Sequence, residues 1–555
     1  MSHTIKYAHD SVFFYLNDFS SRVVAKSGLP GDRYHLGKLI FQGLKEDQDF
    51  LFQIDGSTNE SETNGSALLR SIKCANAFRN MGLKKGDVIV LMAPNHIDLA
   101  IPLYAALYLG IVVAAIDATL GIEELKGFFE IDEPKIVFCH ASKYKAVDAA
   151  LVNAGVKSKI ITFDNNPNCT NFKDFVSSNS DEILDRKKVI DEFKLEDFDP
   201  AETLAFLTTT SGTTGLSKAI ALTHKNLAIA IPYIWLCDTN FPTPTKVVLL
   251  IAPLQWLSSG FHYLFSPMLK YTRLQVSEPL SREVFAKVVN KYKPTYTAIS
   301  PTLLQYLWKI EQTDCDMTCF ETIWLGGSFV PEDLLEDIKK IKPGIRTAAG
   351  YGLSEVGGLV FYDQFTKKGS VGKPLGSFDY KLVDPETMED ISEPNVHGEL
   401  WLRGLPVSKG YYKCPEATAE TFVEGGWFKT GDIFYRDDDW NFFFVERMKL
   451  LLKYRNHQIS PIELEAVIRQ HPAVQDAAVT GLPDKECGEL PVAFVVRKPN
   501  QTVTAQEIKD LVIKSVTDTK HLRGGVIFID EIPMTTTTKV HRKQLREMAV
   551  MMNRE

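Results

Sequence analysis

Short apolar runs alternate with helical stretches along the first half of the chain. The runs are Asp87 to Pro94, Ile111 to Ile116, Lys135 to Cys139 and Lys159 to Phe163, and stretches such as Ile122 to Glu130 lie between them. Alternating strands and helices are typical of βαβ units, which stack into a parallel sheet with helices on its faces. The pattern therefore predicts an α/β protein.

One uncharged segment, Leu99 to Ile116, approaches the length of a membrane-spanning helix. Gly110 divides it into an alanine- and tyrosine-rich half and a β-branched half. Glycine punctuates helices, and β-branched runs favour strands. We therefore predict a helix followed by a buried strand, and no transmembrane segment.

Two further segments complete the predicted organisation. Residues 164–199 are rich in Asn, Ser and Asp, which favours an irregular surface connection. After residue 446 the pattern predicts helix, two strands, helix, strand and helix, which is the content of a separate α+β domain. We predict a large domain over 1–446 with parallel-rich sheets flanked by helices, a small mobile domain over 447–555, and a hinge near 446–450.

Composition and charge narrow the classes of function. The chain has 555 residues, of which 45% are hydrophobic and 24% charged, the balance of a globular protein. Its net charge of -8 and pI near 5.9 give no overall field for nucleic acid or an anionic membrane surface. Scattered cysteines indicate a reducing compartment, and the N-terminus lacks the pattern of a signal peptide. We expect a cytoplasmic protein.

A run of Thr, Ser and Gly lies between two predicted strands, Leu204 to Leu207 and Ala219 to Leu222. Its hydroxyl and backbone N–H groups, with Lys218 after them, are what binding a polyphosphate requires. A flexible linker is the alternative, but linkers are not usually held between apolar strands. A Walker A loop is excluded, because Gly-Lys-Ser/Thr is missing and a strand follows. The run includes Thr210, Ser211, Gly212, Thr213, Thr214 and Gly215.

This run resembles the phosphate loop of the adenylate-forming superfamily, which includes acyl-CoA synthetases, beetle luciferases and peptide-synthetase adenylation domains. The family pattern is roughly Ser-Gly-Thr-Thr-Gly-x-Pro-Lys-Gly, and here Ser217 and Ala219 replace the proline and the last glycine. Other family motifs follow in the right order, which is more specific than any single match. The resemblance extends from about Asp87 to Met548 and is closest to insect luciferase-like and 4-coumarate-like acyl-CoA synthetases.

Two motifs are implied by this resemblance to contact the adenine and the phosphates of ATP. The first resembles the adenine-contacting loop and consists of Gly326, Gly327 and Ser328. The second is similar to the family's Tyr-Gly-x-Thr-Glu element, in which tyrosine lies against adenine, the hydroxyl meets phosphate and glutamate holds Mg²⁺. Its residues here are Tyr351, Gly352, Ser354 and Glu355.

The resemblance also implies that later motifs bind the ribose and contain the hinge residue. Asp432 matches the aspartate that accepts both ribose hydroxyls, a task suited to two carboxylate oxygens. Arg447 is expected near ribose and phosphate. Lys449 matches the residue about which the small domain turns.

The resemblance implies a two-step reaction. A carboxylate and ATP give an acyl-adenylate and pyrophosphate, and the CoA thiol then displaces AMP. Cations must neutralise oxygens on both reactants while these are held in line. Lys539 on the small domain matches the catalytic lysine, and with Lys218 and Glu355 it forms the expected catalytic set. The alternative, a cation on a solvated tail, suits Lys543 better.

Two departures from the family pattern fall where specificity and the second step are decided. The acyl-site segment has Trp256 where the family has histidine, and this indole could wall a pocket or belong to the core. The second departure lies in the segment Lys453 to His457, which the resemblance places beside the tunnel for the pantetheine arm of CoA. Asn456 stands there where the family has glycine, so CoA transfer could be slowed or absent. The predicted acyl-pocket residues are Gln255, Trp256, Ser259 and Gly260.

The leading hypothesis is an acyl-CoA synthetase for an apolar carboxylic acid, a medium- or long-chain fatty acid, with ATP, Mg²⁺ and CoA. The alternatives are an adenylate-forming enzyme with another acceptor, including a luciferase-like monooxygenase, and a silent nucleotide-binding relative. The missing histidine weighs against a luciferase, and the retained charged set against a silent protein. We expect no nucleic-acid partner and leave peripheral membrane contact and oligomeric state open. Family resemblance adds a peroxisomal location as an alternative, although residues 553–555 are no peroxisomal signal.

Overall fold

The structure, a computed structural model, forms two compact units. The larger comprises the chain up to Lys368, Gly372–Asp379 and Arg403–Phe428, and the smaller comprises Gly369–Val371, Tyr380–Leu402 and Lys429–Glu555. The predicted domain boundary at 446 and the predicted hinge near 446–450 stay predictions. The structure describes all residues except 1–34, 178–185, 211–217, 230–245, 311–313, 328–329, 364–366, 376–377, 456 and 535–539.

The larger unit is built on two sheets and the helices packed against them. Its strands are, in chain order, β1 (Leu51–Asp55), β2 (Ser61–Thr63), β3 (Val88–Met92), β4 (Val112–Ala115), β5 (Ile136–Cys139), β6 (Lys159–Thr162), β7 (Thr170–Asn171), β8 (Leu204–Thr210), β9 (Lys218–Thr223), β10 (Val247–Leu250), β11 (Thr272–Gln275), β12 (Tyr296–Ile299), β13 (Thr322–Leu325), β14 (Arg346–Leu353), β15 (Gly358–Asp363) and β16 (Lys373–Pro374). Its helices include α1 (Leu36–Glu46), α2 (Asn64–Asn80), α3 (Ala100–Leu109), α4 (Ile122–Asp132), α5 (Tyr144–Ala154), α6 (Phe172–Ser177), α7 (Arg186–Glu192), α8 (Leu257–Leu269), α9 (Arg282–Tyr292), α10 (Pro301–Leu307), α11 (Glu332–Ile341) and α12 (Pro415–Thr421).

Both sheets of the larger unit are mainly parallel. One has the order β7-β6-β5-β3-β4-β8-β9, and only its last pair is antiparallel. The other has the order β16-β15-β14-β13-β12-β10-β11-β1-β2, with antiparallel pairs at its two ends. Buried side chains of α1, α2, α3 and α8 share one core with strands of both sheets. The predicted α/β fold with parallel-rich sheets is confirmed.

The uncharged segment 99–116 divides as predicted. Every residue of α3 is buried, and Gly110 ends this helix with φ of +66° before β4 begins. The segment is therefore a core helix and a core strand. Among the described residues, we find no helix with both the length and the apolar character needed to cross a membrane.

The prediction of an irregular connection over 164–199 is wrong. The segment contains β7 and the helices α6 and α7, although residues 178–185 lie outside the described part. Phe172, Phe175, Val176 and Ile190 are buried and join the main core. Apolar residues spaced three and four apart are enough to anchor a helix whose other positions face solvent. The polar majority of the segment concealed this sparse apolar face.

The smaller unit contains a five-stranded sheet with order β24-β23-β26-β25, in which β27 also pairs with β26, together with much of a six-stranded sheet. The six-stranded sheet consists of β17 (Phe378–Val383), β18 (Asp390–Ile391), β19 (Gly398–Gly404), β20 (Phe422–Val423), β21 (Trp427–Arg436) and β22 (Phe442–Arg447). The C-terminal elements are β23 (Leu452–Tyr454), β24 (His457–Ile459), α13 (Pro461–Ile468), β25 (Val474–Asp484), β26 (Gly488–Arg497), α14 (Ala505–Ser515), β27 (Gly525–Phe528) and α15 (Arg542–Met551). From α13 onward, this is the predicted order of helices and strands.

Replacing Gly110 by alanine should lower the free energy of unfolding more than replacing Gly155. Both glycines end helices with left-handed backbone, at φ of +66° and +67°, so alanine costs about 1 kcal/mol at each. A Cβ at Gly110 would also lie 2.9 Å from Cε1 of Phe198, whereas no atom lies within 4 Å at Gly155. We expect a loss of about 2–4 kcal/mol for Gly110→Ala in chemical denaturation. Equal losses at the two positions would contradict the steric account.

Candidate active site

The predicted phosphate loop joins two paired strands. β8 and β9 are antiparallel, with Thr210 opposite Lys218, so the intervening residues connect neighbouring strands at one end of the seven-stranded sheet. This confirms the prediction that a strand, rather than a helix, follows the loop. The loop residues Ser211, Gly212, Thr213, Thr214 and Gly215, and the side chain of Thr210, lie outside the described part of the chain.

One tyrosine contacts both charged residues that are predicted to act on ATP in the larger unit. The Nζ of Lys218 is 4.9 Å from the centroid of the Tyr411 ring. The hydroxyl of Tyr411 donates to Oε1 of Glu355 at 3.3 Å. The backbone N–H of Ser408 also donates to the carbonyl oxygen of Glu355 at 2.8 Å. The structure thus brings two motifs that are distant in sequence to one place.

The predicted adenine-contacting residues lie at the carboxyl ends of two neighbouring parallel strands. Gly326 directly follows β13, and Gly327 has φ of +90°, which favours glycine. Tyr351 and Gly352 lie on β14. The hairpin with β15 is so close that a Cβ on Gly352 would lie 2.4 Å from the carbonyl oxygen of Gly358. This edge is where parallel sheets of α/β proteins usually bind ligands.

The residues of the second motif continue from β14 into a tight turn. Ser354 and Glu355 lie on a 3₁₀ turn, Ser354–Val356, which links β14 to β15. Gly357 ends this turn with φ of +63°. The backbone of Glu355 is therefore fixed by the hairpin on both sides. Ser328, from the first motif, lies outside the described residues.

Trp324 is a residue of this region that sequence motifs did not identify. It lies on β13, and a Cβ on Gly326 would be 2.1 Å from Cζ3 of its indole. Its partners on the neighbouring strands are Ala298 and Ala348, so small side chains flank the indole. Its Nε1 is buried, with no hydrogen-bond partner in the described part of the chain. The signal in the sequence is a tryptophan two positions before the glycine pair Gly326 and Gly327.

The predicted acyl segment leads into α8: Gln255 and Trp256 precede the helix, and Ser259 and Gly260 lie in its first turn. The carbonyl oxygen of Trp256 accepts hydrogen bonds from the N–H groups of Ser259 and Gly260. Oγ1 of Thr208 donates to the carbonyl oxygen of Gln255 at 3.4 Å. The structure thus brings the predicted acyl segment beside β8, the strand that leads into the phosphate loop.

The same helix carries a histidine, but this side chain belongs to the core. His262 Nδ1 is 2.9 Å from the hydroxyl of Tyr271. Burial, with a smaller contribution from the positive charge of Arg273, lowers the pKa of His262 to about 3. The imidazole is therefore neutral near pH 7, and it does not stand in for the family histidine that Trp256 replaces.

In the smaller unit, the predicted ribose-binding residue faces its arginine across a hairpin. β21 and β22 are antiparallel, with Asp432 opposite Arg447. Nε of Arg447 is 3.1 Å from Oδ1 of Asp432, an ion pair by distance that lacks the alignment of a hydrogen bond. Asp432 is only 1% exposed. The structure therefore brings these two predicted residues together.

Glu399 holds the turn that precedes Asp432, and sequence reasoning gave it no role. Its Oε1 accepts from the N–H of Gly431 at 2.9 Å, and its Oε2 from Nε1 of Trp401 at 2.7 Å. Gly431 has φ of +70°, so the turn depends on a backbone conformation that favours glycine. A buried acid within the apolar strand β19 was the available signal.

The predicted hinge residue Lys449 is exposed, on the short turn Met448–Leu450. The residue before Arg447, Glu446, is buried, and its carboxylate accepts from the N–H groups of Arg447 and Ile462. Burial raises the pKa of Glu446 above its ordinary value. The backbone just before the turn is therefore anchored by a buried carboxyl group.

The predicted CoA-tunnel residue Lys453 lies on β23, which pairs with β24. Lys453 is exposed, and its N–H donates to Oε2 of Glu489 at 3.0 Å. Asn456 and the predicted catalytic residue Lys539 lie outside the described residues. Their roles stay predictions.

Two family models match the chain. The model described as "AMP-binding enzyme" matches residues 45–412, and the one described as "AMP-binding enzyme C-terminal domain" matches residues 463–539. The first match alone covers more than half of the chain. The chain belongs to the AMP-binding family of adenylate-forming enzymes. The predicted family is confirmed.

The relatives of this AMP-binding enzyme include two kinds of protein. It is 34% identical over 537 residues to luciferin 4-monooxygenase of Photuris pensylvanica, covering 92% of this chain and 95% of the relative. It is 30% identical over 544 residues to 4-coumarate–CoA ligase 2 of Nicotiana tabacum, covering 94% and 97%. A solved structure of the luciferase-like enzyme from the nonluminescent Zophobas morio mealworm matches with a TM-score of 0.68 and 27% identity, covering 75% of this chain and 95% of that one.

Glu399→Gln should weaken nucleotide binding by this AMP-binding enzyme. Both acceptor oxygens of Glu399 face N–H donors, and a glutamine would turn an NH₂ group toward one of them. Leaving a buried donor unsatisfied costs about 1–3 kcal/mol, and we expect AMP affinity to fall by about tenfold because the Asp432 turn shifts. Calorimetric titration with AMP measures this, with Glu424→Gln at an exposed position as the control. Unchanged affinity would show that the turn is held without Glu399.

Proposed function

We propose that this AMP-binding enzyme is an ATP-dependent acyl-CoA synthetase that activates an apolar carboxylic acid through an acyl-adenylate. The observation that carries the proposal is the meeting of Lys218 and Glu355 at Tyr411, at the end of the phosphate loop. A cation and a carboxylate side by side suit a nucleotide whose phosphates are anionic and whose bound metal ion is cationic.

In this proposal each of the predicted nucleotide-binding residues has a separate task. Lys218 and the N–H and hydroxyl groups of the phosphate loop bind the phosphates. Tyr351 lies against the adenine beside Gly326 and Gly327. Asp432 accepts hydrogen bonds from the ribose hydroxyls, because a carboxylate offers two acceptor oxygens. Arg447, already placed beside that carboxylate, reaches ribose and phosphate.

The residues present fit a Mg²⁺ ion that arrives with ATP. Mg²⁺ in nucleotide sites is usually bound by one or two carboxylates together with substrate phosphates and water. Glu355 supplies such a carboxylate, and its Oε1 is already oriented by Tyr411. Within the described part of the chain, no group of three or more His, Cys, Asp or Glu could hold a metal by itself. When bound, the ion neutralises phosphate charge.

The chemistry is two successive substitutions. The carboxylate oxygen of the acid attacks the α-phosphate of ATP, an oxygen–phosphorus bond forms, and pyrophosphate leaves. Lys539 neutralises charge on the carboxylate and the α-phosphate, mainly in the transition state. The small domain then turns about Lys449 and admits CoA. The CoA sulfur attacks the acyl carbon, the thiol proton is lost, and AMP leaves.

The acid is apolar, and we propose a medium- or long-chain fatty acid. The acyl segment lies beside β8, so the carboxyl group would be near the phosphate loop and the acyl chain would extend along the start of α8. Trp256 offers an indole wall. Trp324, flanked by Ala298 and Ala348, lies on the neighbouring sheet and supports a pocket lined by apolar groups.

Oxidation of a luciferin adenylate is the second candidate, and the 34% identity to luciferin 4-monooxygenase favours it. Two observations count against it. Trp256 stands where the family pattern has histidine, and a luciferase-like enzyme of similar fold comes from a nonluminescent insect. The two candidate functions share the first half-reaction, in which the acid and ATP form an adenylate. They differ in whether CoA or oxygen then reacts with that adenylate.

Products formed by the purified protein test the proposal directly. The protein is incubated with Mg-ATP, CoA and a panel of fatty and aromatic acids that includes beetle luciferin, and acyl-AMP and acyl-CoA are counted by mass spectrometry while light is recorded. We expect fatty acyl-CoA. Accumulated acyl-AMP without thioester would contradict CoA as the acceptor and implicate Asn456. Light from luciferin would favour the second candidate, and no product would contradict both.

Lys539→Ala should reduce acyl-adenylate formation by about 10²- to 10³-fold, because a preorganised cation at the transition state is lost. Thioester formation from preformed acyl-adenylate should be nearly unchanged. Pyrophosphate release and CoA consumption measure the two half-reactions separately. Lys543→Ala, at an exposed position on α15, is the matched control. Equal loss of both half-reactions would contradict the role assigned to Lys539.

A further inference from the structure

We propose that Tyr411 is a positioning residue for Mg-ATP binding. Its ring positions the ammonium of Lys218, and its hydroxyl positions the carboxylate of Glu355. This inference rests on the proposed function, because it assumes that the two groups meet the phosphates and the metal ion. It adds a residue, Tyr411, to which the family motifs considered above gave no role.

Each half of the Tyr411 side chain has its own charged neighbour. The ammonium of Lys218 is 4.9 Å from the ring centroid, within the distance of a cation–π interaction. The hydroxyl donates at 3.3 Å to a carboxylate oxygen of Glu355, which is long for a hydrogen bond from a hydroxyl group. One rigid side chain thus relates the position of the cation to that of the carboxylate.

Tyr411 is itself fixed from several directions. Its backbone N–H donates to Oγ1 of Thr418 at 3.0 Å. Gly410 before it has φ of +115°, and a Cβ there would lie 2.3 Å from Cγ2 of Thr418. The ring packs edge to face against Phe422, with centroids 5.9 Å apart. These contacts make Tyr411 a fixed reference rather than a side chain that follows its neighbours.

The backbone around Tyr411 is paired with the strand that carries Lys218. The N–H of Ala221 donates to the carbonyl oxygen of Gly410 at 2.9 Å, and that of Tyr412 donates to Ala219 at 2.7 Å. Ile220 and Tyr411 form an antiparallel bridge. Ser408, in the same segment, also donates a hydrogen bond to the backbone of Glu355. This segment therefore connects Lys218, at the end of the phosphate loop, to the turn Ser354–Val356, where we propose that the metal ion binds.

Fixing these groups in advance has an energetic reason. Lysine and glutamate side chains each lose up to about 2 kcal/mol of rotamer entropy when they are held in one position. Because contacts with Tyr411 already restrict both side chains, less rotamer entropy remains to be lost when ATP binds. The two contacts are also chemically separable, since phenylalanine keeps the ring and removes only the hydroxyl.

The neighbouring tyrosine provides a matched control. Tyr412 packs against the buried cluster that includes Leu125 and Phe129, and Lys413 Nζ lies 5.4 Å from its ring. Tyr412 lies on the same segment as Tyr411 and has the same phenol side chain. Tyr412→Phe therefore removes a hydroxyl from this segment without touching the contacts of Lys218 and Glu355 described above.

The first test measures equilibrium ATP binding with and without Mg²⁺, which requires no carboxylic acid substrate. Tyr411→Phe should reduce the gain in ATP affinity that Mg²⁺ provides by roughly three- to tenfold. Its affinity for ATP without Mg²⁺ should match that of the unmodified protein and of Tyr412→Phe. A full Mg²⁺ effect in Tyr411→Phe would overturn the proposal.

A second test separates the ring from the hydroxyl. Tyr411→Leu should lose the Mg²⁺ effect as Tyr411→Phe does, and should also weaken ATP binding without Mg²⁺ by roughly twofold to fivefold, because Lys218 loses its aromatic neighbour. Equal weakening in both variants without Mg²⁺ would contradict the division of roles. Thermal unfolding checks that each variant folds, and the phenylalanine variant carries the test if the leucine variant does not.

A double-mutant cycle asks whether Tyr411 acts through Glu355. In a Glu355→Gln background, Tyr411→Phe should change the Mg²⁺ dependence of ATP binding by less than a factor of two. An undiminished effect would show that Tyr411 acts elsewhere. Failure of the proposed function is distinguishable, because it would appear as missing acyl-adenylate in the unmodified protein, whereas these binding measurements would still decide the role of Tyr411.

Discussion

The pairing of β9 on both of its edges is the constraint on which the candidate site in the larger unit depends. On one edge β9 pairs with β8 and closes the phosphate loop. On the other edge it bonds Gly410 and Tyr412, from a segment nearly two hundred residues later in the chain. Lys218 is the first residue of this doubly paired strand, so its Cα position is fixed before any ligand contact. Sequence neighbours alone could not place Lys218, because half of the pairing comes from a distant segment.

The smaller unit applies the same principle with a hairpin. The register of β21 and β22 sets Asp432 opposite Arg447, and Glu399 holds the turn that leads to Asp432. Directly opposite residues on an antiparallel pair have Cβ atoms about 5 Å apart, which brings the two charges within reach of each other. In both units a charged side chain that is predicted to bind a ligand already has a defined neighbour. Preorganisation of this kind reduces the reorganisation that binding and catalysis would otherwise require.

Patterns of apolar residues predicted the α/β fold, the helix and strand around Gly110, and the order of elements from α13 onward, but not the preceding hairpin of β23 and β24. They failed over 164–199, because α6 and α7 bury few side chains and the polar majority dominated. Motifs assigned roles to Lys218 and Glu355 but none to Tyr411 or Glu399. The reason is physical: a motif is local, whereas Tyr411 acquires its place through backbone pairing with β9 and Glu399 through a turn that begins thirty residues later. Contacts of this kind exist only once the sheet has formed.

The net charge of -8 does not determine whether this chain can bind a polyanion such as a nucleotide. At physiological ionic strength the Debye length is about 8 Å, so distant surface carboxylates act weakly at the predicted nucleotide site. What matters is the local arrangement, and there each acid has a defined neighbour: Glu355 bonds the Tyr411 hydroxyl, and Asp432 lies beside Arg447. A carboxylate that is oriented in this way is already placed for the metal ion proposed at Glu355 or for the ribose proposed at Asp432. The position of Lys218 against a neutral aromatic ring follows the same logic, because the ring holds the ammonium without neutralising its charge.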